Sequence, residues 1–214
     1  MMNKRRIIII AGGDIEKNGY ILSHFSGDEF VIAVNGGLQN ALKIGVEPDL
    51  IIGDLDSISE EILFDFKESG IPIKSFPPQK NESDLEIAID EAVGMKPQEI
   101  IIVGALGKRI DHSLFNIFLL LKYKDIGIRI IAAGEEVFLC KKSQEMDFPE
   151  GTTISLVPLT PTVNGVTLDG FKYPLHDEDL YMNSSRGLSN VLVESPGTIK
   201  FRSGEMLVVV INIL

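Results

Sequence analysis

The chain has 214 residues, 44% hydrophobic and 24% charged, an ordinary globular composition with room for one large domain or two small ones. Its 31 acids outnumber 20 lysines and arginines, and the net charge of −11 argues against general nucleic-acid binding, which rests on a basic face. A single cysteine, Cys140, excludes an internal disulfide framework and fits a reducing compartment.

The basic start and the isoleucine run at 7–10 mimic a signal peptide, but Gly12-Gly13-Asp14 ends the apolar stretch too soon. Residues 7–11 read instead as a first buried strand. No stretch approaches the roughly 20 apolar residues needed to cross a bilayer, so a cytoplasmic protein without membrane contact is expected. Residues 15–25 read as a helix carrying Ile15, Tyr20, Ile21 and Phe25. A second strand over 30–34 runs into Asn35-Gly36-Gly37, and a helix over 38–44 stops at Gly45. Pro48 precedes a strand over 49–52, which ends at Gly53-Asp54-Leu55-Asp56-Ser57, and 59–69 shows the spacing of an N-capped amphipathic helix. A short strand over 71–76, a loop over 77–82, a helix over 83–93 and a strand over 99–103 follow. After the glycine-bearing loop 104–107 come a strongly apolar helix over 111–123 and a strand over 128–132.

Short strands, apolar throughout and alternating with helices, predict an α/β fold with a doubly wound, mostly parallel (Rossmann-like) sheet. Near Gly134 the pattern changes to β-type runs at 137–140, 152–156, 165–168, 190–194, 198–201 and 206–211. Turns at Pro149-Glu150-Gly151, Asn164-Gly165, Pro196-Gly197 and Ser203-Gly204 separate them, predicting a smaller all-β sandwich. The expected domains are 1–135 and 136–214. Cys140, inside an apolar run, reads as buried packing rather than a reactive thiol.

In an open parallel sheet ligands collect beyond the carboxyl ends of the strands, and four polar segments fall there. Asp54 and Asp56, two apart in an extended tip, project to the same side and repel each other unless a hard cation lies between them. The alternative is a loop of solvated acids capped by Ser57. Gly36 and Gly37 open a helix whose N-terminus favours anions, or simply make a turn. Ser83 precedes Asp84 at another helix start, where Ser83 with Glu86 spells a capping box. Gly104 to His112 brackets a tight loop bearing Arg109, whose planar fork suits phosphate, with Asp111 placed to cap the helix, orient Arg109 or meet a nucleotide. His112 fits a packed or capping role better than acid–base work. Acids for Mg²⁺, an arginine for charge and glycine backbone suit phosphoryl transfer, and neither a P-loop nor a G-x-G-x-x-G fingerprint is present.

These residues resemble the thiamine pyrophosphokinase family, whose segments D-G-G, P-D-x-x-x-G-D-x-D-S, D-x-T-D and G-G-R-x-D-H appear in order. Here they read Asn35-Gly36-Gly37, Pro48 through Ser57, Asn81-Glu82-Ser83-Asp84, and Gly107-Lys108-Arg109-Ile110-Asp111-His112. Gly187-Leu188-Ser189-Asn190 is similar to the family's G-x-S-N segment. The resemblance implies pyrophosphoryl transfer from ATP to the hydroxyethyl oxygen of thiamine, giving thiamine diphosphate and AMP. It implies an α/β ATP- and Mg²⁺-binding domain, a β-sandwich that helps bind thiamine, and a homodimer with the thiamine site at its interface. By position, Asp54, Asp56 and Asp84 would handle Mg²⁺ and pyrophosphate, with Asp84 or a neighbour activating the hydroxyl. Gly36, Gly37, Arg109, Asp111 and His112 would lie on the nucleotide side, and Ser83, Asp84, Ser189 and Asn190 on the thiamine side. Asn35 and Asn81 stand where the family has Asp, Ser83 where it has Thr, and Lys108 where it has Gly. With no Trp in the chain, aromatic packing on thiamine falls to Phe171, Tyr173 or Tyr181. A different acceptor alcohol such as a pterin, and a catalytically weakened nucleotide- or thiamine-binding protein, are the alternatives.

Overall fold

The computed structural model describes residues 6–16, 19–53, 70–76, 81–107 and 109–211. Asp54, Asp56, Ser57, Lys108 and the helix expected over 59–69 lie outside the described residues. The chain divides into two compact units, Met1–Ala133 and Gly134–Leu214.

In the first unit the strands are β1 (Arg6–Ile10), β2 (Phe30–Val34), β3 (Leu50–Gly53), β4 (Ile73–Ser75), β5 (Glu99–Val103) and β6 (Ile128–Ala132). They lie in the order β6-β5-β1-β2-β3-β4, and every neighbouring pair is parallel. Ile7–Ile10 of β1 and Ile100–Val103 of β5 are almost wholly buried, as strands covered on both faces must be. Each such side chain contributes about 1.5–3 kcal/mol of hydrophobic stabilisation. Described helices are α1 (Gly19–Ser23), α2 (Gly37–Ile44), α3 (Asp84–Gly94) and α4 (Ile110–Lys122). Ile8 and Ile10 of β1 share a core with Ile21 of α1 and with Ala41 and Ile44 of α2.

The helix expected over 15–25 is a correction: among the described residues of that stretch only Gly19–Ser23 is helical. Ile15 is buried but lies outside the helix, and the chain closes through i→i−3 bonds from His24 and Phe25 before Gly27 turns at φ 90°. Asp49 acts at the amino end of the sheet, its carboxylate accepting the Val31 N–H at 2.8 Å. Glu29, also at that end, is buried and accepts N–H bonds from Ser26 and Gly27 at 2.9 Å and the Ser26 hydroxyl.

The second unit has one run of antiparallel strands, β12-β9-β14-β7, and a four-stranded antiparallel sheet, β11-β10-β13-β8. Their bounds are β7 (Glu135–Leu139), β8 (Ser143–Met146), β9 (Thr153–Pro158), β10 (Thr162–Asp169), β11 (Leu175–Tyr181), β12 (Asn190–Val191), β13 (Gly197–Lys200) and β14 (Met206–Ile211). Ile154, Leu156, Val208 and Val210 from the first pack with Val163, Val166, Leu168 and Ile199 from the second, which makes a sandwich. Cys140 belongs to this core, where burial pushes its thiol up to about 12. Asn164-Gly165 is not the expected turn: it lies inside β10, where Gly165 at φ 66° marks a register shift against β11. Strand β11 was not expected at all, because only Leu175 and Leu180 of its seven residues face inward. No helix among the described residues is long and apolar enough to cross a membrane.

Burial is the largest single influence on Glu29 and pushes its carboxyl up. The donors from Ser26, its own N–H and Gly27 together outweigh burial and hold the group below its ordinary 4.5. Its stabilisation is therefore complete above that value and lost as pH falls through the lower folded-state value. Replacing it by Gln (Glu29→Gln) is expected to cost about 2 kcal/mol at pH 7 by urea denaturation. The gap between the two proteins should narrow below pH 4.5; a gap constant from neutral to acid pH would remove this carboxylate from the acid response.

Candidate functional site

The chain runs outward from β1 to β4, then returns to place β5 on the other side of β1. Between β1 and β5 the strand order reverses, and the loops after these two strands meet there. Ala11 N–H donates to Val103 O at 2.8 Å, Gly13 N–H to Gly104 O at 2.7 Å, and Asp14 N–H to Leu106 O at 2.9 Å. A Cβ on Gly13 would fall inside the carbonyl oxygens of Gly104 and Leu106, so only glycine fits. On the other flank of β1, a Cβ on Gly12 would lie 3.2 Å from Gly36 Cα, and Gly37 sits against the Ile10 carbonyl. The result is a stretch of bare backbone at the sheet edge, ending in the N-terminus of α2.

Residues that no motif marked hold this backbone in place. Asn40 of α2 donates one amide nitrogen to Ala11 O at 2.7 Å and Gly13 O at 2.9 Å. Asn116 of α4 donates to Ala105 O at 2.7 Å, and the Ser113 hydroxyl accepts the Gly107 N–H at 3.1 Å. The one signal in the sequence was an asparagine inside a helix, a poor helix former that earns its position through a partner.

Asp84 opens α3, with Ser83 as N-cap accepting the Glu86 N–H at 3.2 Å. Glu86 itself takes Lys122 at 2.7 Å, tying α3 to α4. The Asp84 carboxylate accepts the amide of Asn35, which follows β2 at φ 46°. Asn35 Oδ1 is buried without a hydrogen-bond partner among the described residues and faces Gly53, after which the sequence continues Asp54-Leu55-Asp56. These donors are all oxygens, the kind a hard divalent cation takes. Among the described residues no group of three or more His, Cys, Asp or Glu converges, so Asp84 and Asn35 are the donors seen.

Arg109 and Asp111 form a forked pair, Nε to Oδ1 at 3.2 Å and Nη2 to Oδ2 at 2.5 Å, with both side chains largely exposed. The hydrogen bonds from Arg109 hold the Asp111 carboxyl below its ordinary value, and Asp111 in turn raises Arg109. Asp111 thus orients Arg109, and the fork is already shaped for an anionic oxygen pair. His112, expected to pack or cap, is exposed on the first turn of α4.

In the second unit Gly187-Leu188-Ser189-Asn190 runs along β9, with Leu156 N–H donating to Gly187 O at 2.8 Å. Ser189 is exposed at φ 55° and donates its N–H to Ser155 Oγ at 2.9 Å. Asn190 is buried: its Oδ1 accepts the N–H of Tyr173 at 3.0 Å and of Val191 at 2.9 Å, while Nδ2 donates to Tyr173 O at 2.8 Å. Its amide therefore clamps the backbone of Tyr173, whose ring is half exposed with Lys172 Nζ 5.6 Å from its centre. Phe171 drops out as a stacking residue because it is buried in the sandwich core; Tyr173 and Tyr181 keep exposed rings.

A parallel sheet with bare backbone at its switch point, joined in sequence to a β-sandwich, defines the class: a two-unit α/β plus β protein. Residues 22–132 match the thiamin pyrophosphokinase catalytic domain and residues 137–206 the thiamin pyrophosphokinase vitamin B1 binding domain. A thiamine pyrophosphokinase from Bacillus subtilis is 30% identical over 96% of this chain and 98% of its own. The crystal structure of the Bacillus subtilis thiamine pyrophosphokinase superposes with a TM-score of 0.88 at 29% identity, covering 98% of this chain and all of the other. That of the thiamin pyrophosphokinase from Geobacillus thermodenitrificans gives 0.87 at 29% identity over 96% and 97%. The chain belongs to the thiamine pyrophosphokinase family.

Two substitutions test the architecture of these segments. Gly13→Ala forces a methyl group against two carbonyl oxygens on rigid backbone and should cost about 3 kcal/mol in urea denaturation. Asn190→Leu leaves the Tyr173 N–H and C=O without partners and should cost about 2–4 kcal/mol, whereas a loss under about 0.5 kcal/mol would mean the clamp is idle.

Proposed function

We propose that the protein is a thiamine diphosphokinase, transferring a pyrophosphoryl group from ATP to thiamine and releasing AMP. The observation that carries this reading is the succession of both family domains along one chain, catalytic then vitamin B1 binding. In the reaction the hydroxyethyl oxygen of thiamine attacks the β-phosphorus of ATP, the bond to the α-phosphate oxygen breaks, and the hydroxyl proton leaves to a base.

Asp84 is the proposed base, or the residue that orients it, on the first turn of α3. Asp54, Asp56 and Asp84 are proposed to hold Mg²⁺, which when bound offsets charge on the pyrophosphoryl group. Backbone N–H groups of Gly36 and Gly37 and the N-terminus of α2 face the phosphates in this reading. Arg109, oriented by Asp111, meets nucleotide anionic oxygen, with His112 beside it on the same turn. Ser83 and Asp84 lie on the acceptor side, and Ser189 and Asn190 on the thiamine side. Given its clamp on Tyr173, Asn190 acts there by fixing backbone, and Ser189 presents its hydroxyl.

The same reading assigns residues 1–135 to ATP and Mg²⁺ and 136–214 to thiamine, with helices wound on both faces of the parallel sheet and a cytoplasmic setting. It also includes a homodimer with thiamine at its interface. Support for self-association comes from α4, where Ile110, Leu114 and Phe118 recur every four residues beside Phe115, all exposed. A monomer in sedimentation equilibrium would contradict the dimer.

The test is direct. Purified protein with ATP, Mg²⁺ and thiamine should yield AMP and thiamine diphosphate in equal amounts. AMP formed with another alcohol but not with thiamine would move the acceptor, and tight binding of ATP or thiamine without turnover would make this a binding protein. Asp56→Asn and Asp84→Asn should each lower kcat by about 10²–10³-fold without unfolding the protein. A variant that keeps most of its activity removes that acid from the mechanism.

A further inference from the structure

Asn35 is the point where three strand-end segments touch. It follows β2, its backbone N–H donates to Ile52 O of β3 at 2.9 Å, and its side chain reaches the first residue of α3, 49 positions away. The orientation of its amide is fixed by chemistry. The nitrogen must face the Asp84 carboxylate, because turning the carbonyl oxygen that way would set two acceptors against each other. That leaves Oδ1 buried and facing Gly53, where even a methyl group on the backbone would collide with it. Asn35 also sits at φ 46°, a left-handed conformation that asparagine tolerates better than most residues. An aspartate here would have the same shape, but it would press a second carboxylate against Asp84, and like charges at that distance require a cation or a proton between them.

We propose that Asn35 is a positioning residue that orders the Asp84 carboxylate before any divalent cation is present. Its N–H supplies a positive contact to Asp84 that an aspartate at this position would lack. Asp84 is then held at the start of α3 in the cation-free protein, and the site's architecture does not wait on metal. The neutral Oδ1 remains as an oxygen donor on the Gly53 side. The inference rests on the proposed cation site at this edge and goes beyond it by dividing the work between an amide and the metal.

Thermal unfolding and Mn²⁺ binding, both without ATP or thiamine, provide the test, so the result stands whether or not the proposed reaction is right. In EDTA the wild type should keep its midpoint, with added Mg²⁺ raising it only slightly. Asn35→Asp should melt about 3 °C or more lower in EDTA, recover that loss in Mg²⁺, and bind Mn²⁺ about tenfold more tightly than the wild type. The exchanged pair, Asn35→Asp with Asp84→Asn, restores one donor facing one acceptor and should melt within about 1 °C of the wild type in EDTA. An Asn35→Asp protein as stable as the wild type in EDTA would overturn the proposal, as would an exchanged pair no more stable than the single variant. If Asn35→Asp does not fold even with Mg²⁺, recovery or failure of folding in the exchanged pair decides the matter alone.

Discussion

The carboxyl edge of the parallel sheet depends on one constraint: the backbone leaving β1 must lie directly against the backbone leaving β5. Three N–H groups, of Ala11, Gly13 and Asp14, are consumed in that contact. It leaves no room for a side chain at Gly13, while the approach of the start of α2 to the backbone of β1 leaves none at Gly37 and little at Gly12. Everything else at this edge follows from it. The loop after β5 is held low enough for α4 to begin at Ile110, α2 starts directly behind the β1 backbone, and Asn40 and Asn116 fasten carbonyls that would otherwise turn into the crevice. The edge is thus made mainly of backbone held from behind, and charged side chains stand at its rim.

A division of labour between amides and charges runs through both units. Asn40, Asn116 and Asn190 each hold backbone that must not move, by hydrogen bonds between neutral groups that need no counter-ion, and Asn35 sets a neutral amide against the Asp84 carboxylate. Arg109 and Asp111, by contrast, are exposed and paired to each other, and can exchange partners at small cost. A protein that must bind and release highly charged molecules gains from this arrangement, because the scaffold is insensitive to the charge that arrives and leaves.

Strands β5 and β14 were legible in the sequence to the residue, because each is an apolar run bounded by a polar or glycine break. Asn35-Gly36-Gly37, Gly53 and Gly104 do follow β2, β3 and β5 at the carboxyl edge of the sheet, because each ends an apolar run at a polar or glycine break. Strand β11 was hidden because its sequence Leu-His-Asp-Glu-Asp-Leu-Tyr keeps only two apolar residues inward, and the left-handed Asp177 breaks the alternation. The Asn164-Gly165 pair misled for the opposite reason: a positive-φ glycine bends a strand as readily as it ends one. Asn190 was marked by its motif and Asn40 only by being an asparagine inside a helix, and the backbone partners of both are set by tertiary contact that the sequence does not announce.

The burial of Cys140 has a practical consequence. It is the only cysteine in the chain, it is sealed in the sandwich core, and its thiol is held far from the thiolate form that reacts. The folded protein therefore offers thiol-directed alkylating reagents almost nothing to attack. A cysteine introduced on the outer surface would be the sole thiol that a maleimide dye or spin label could find, with the native residue left in place.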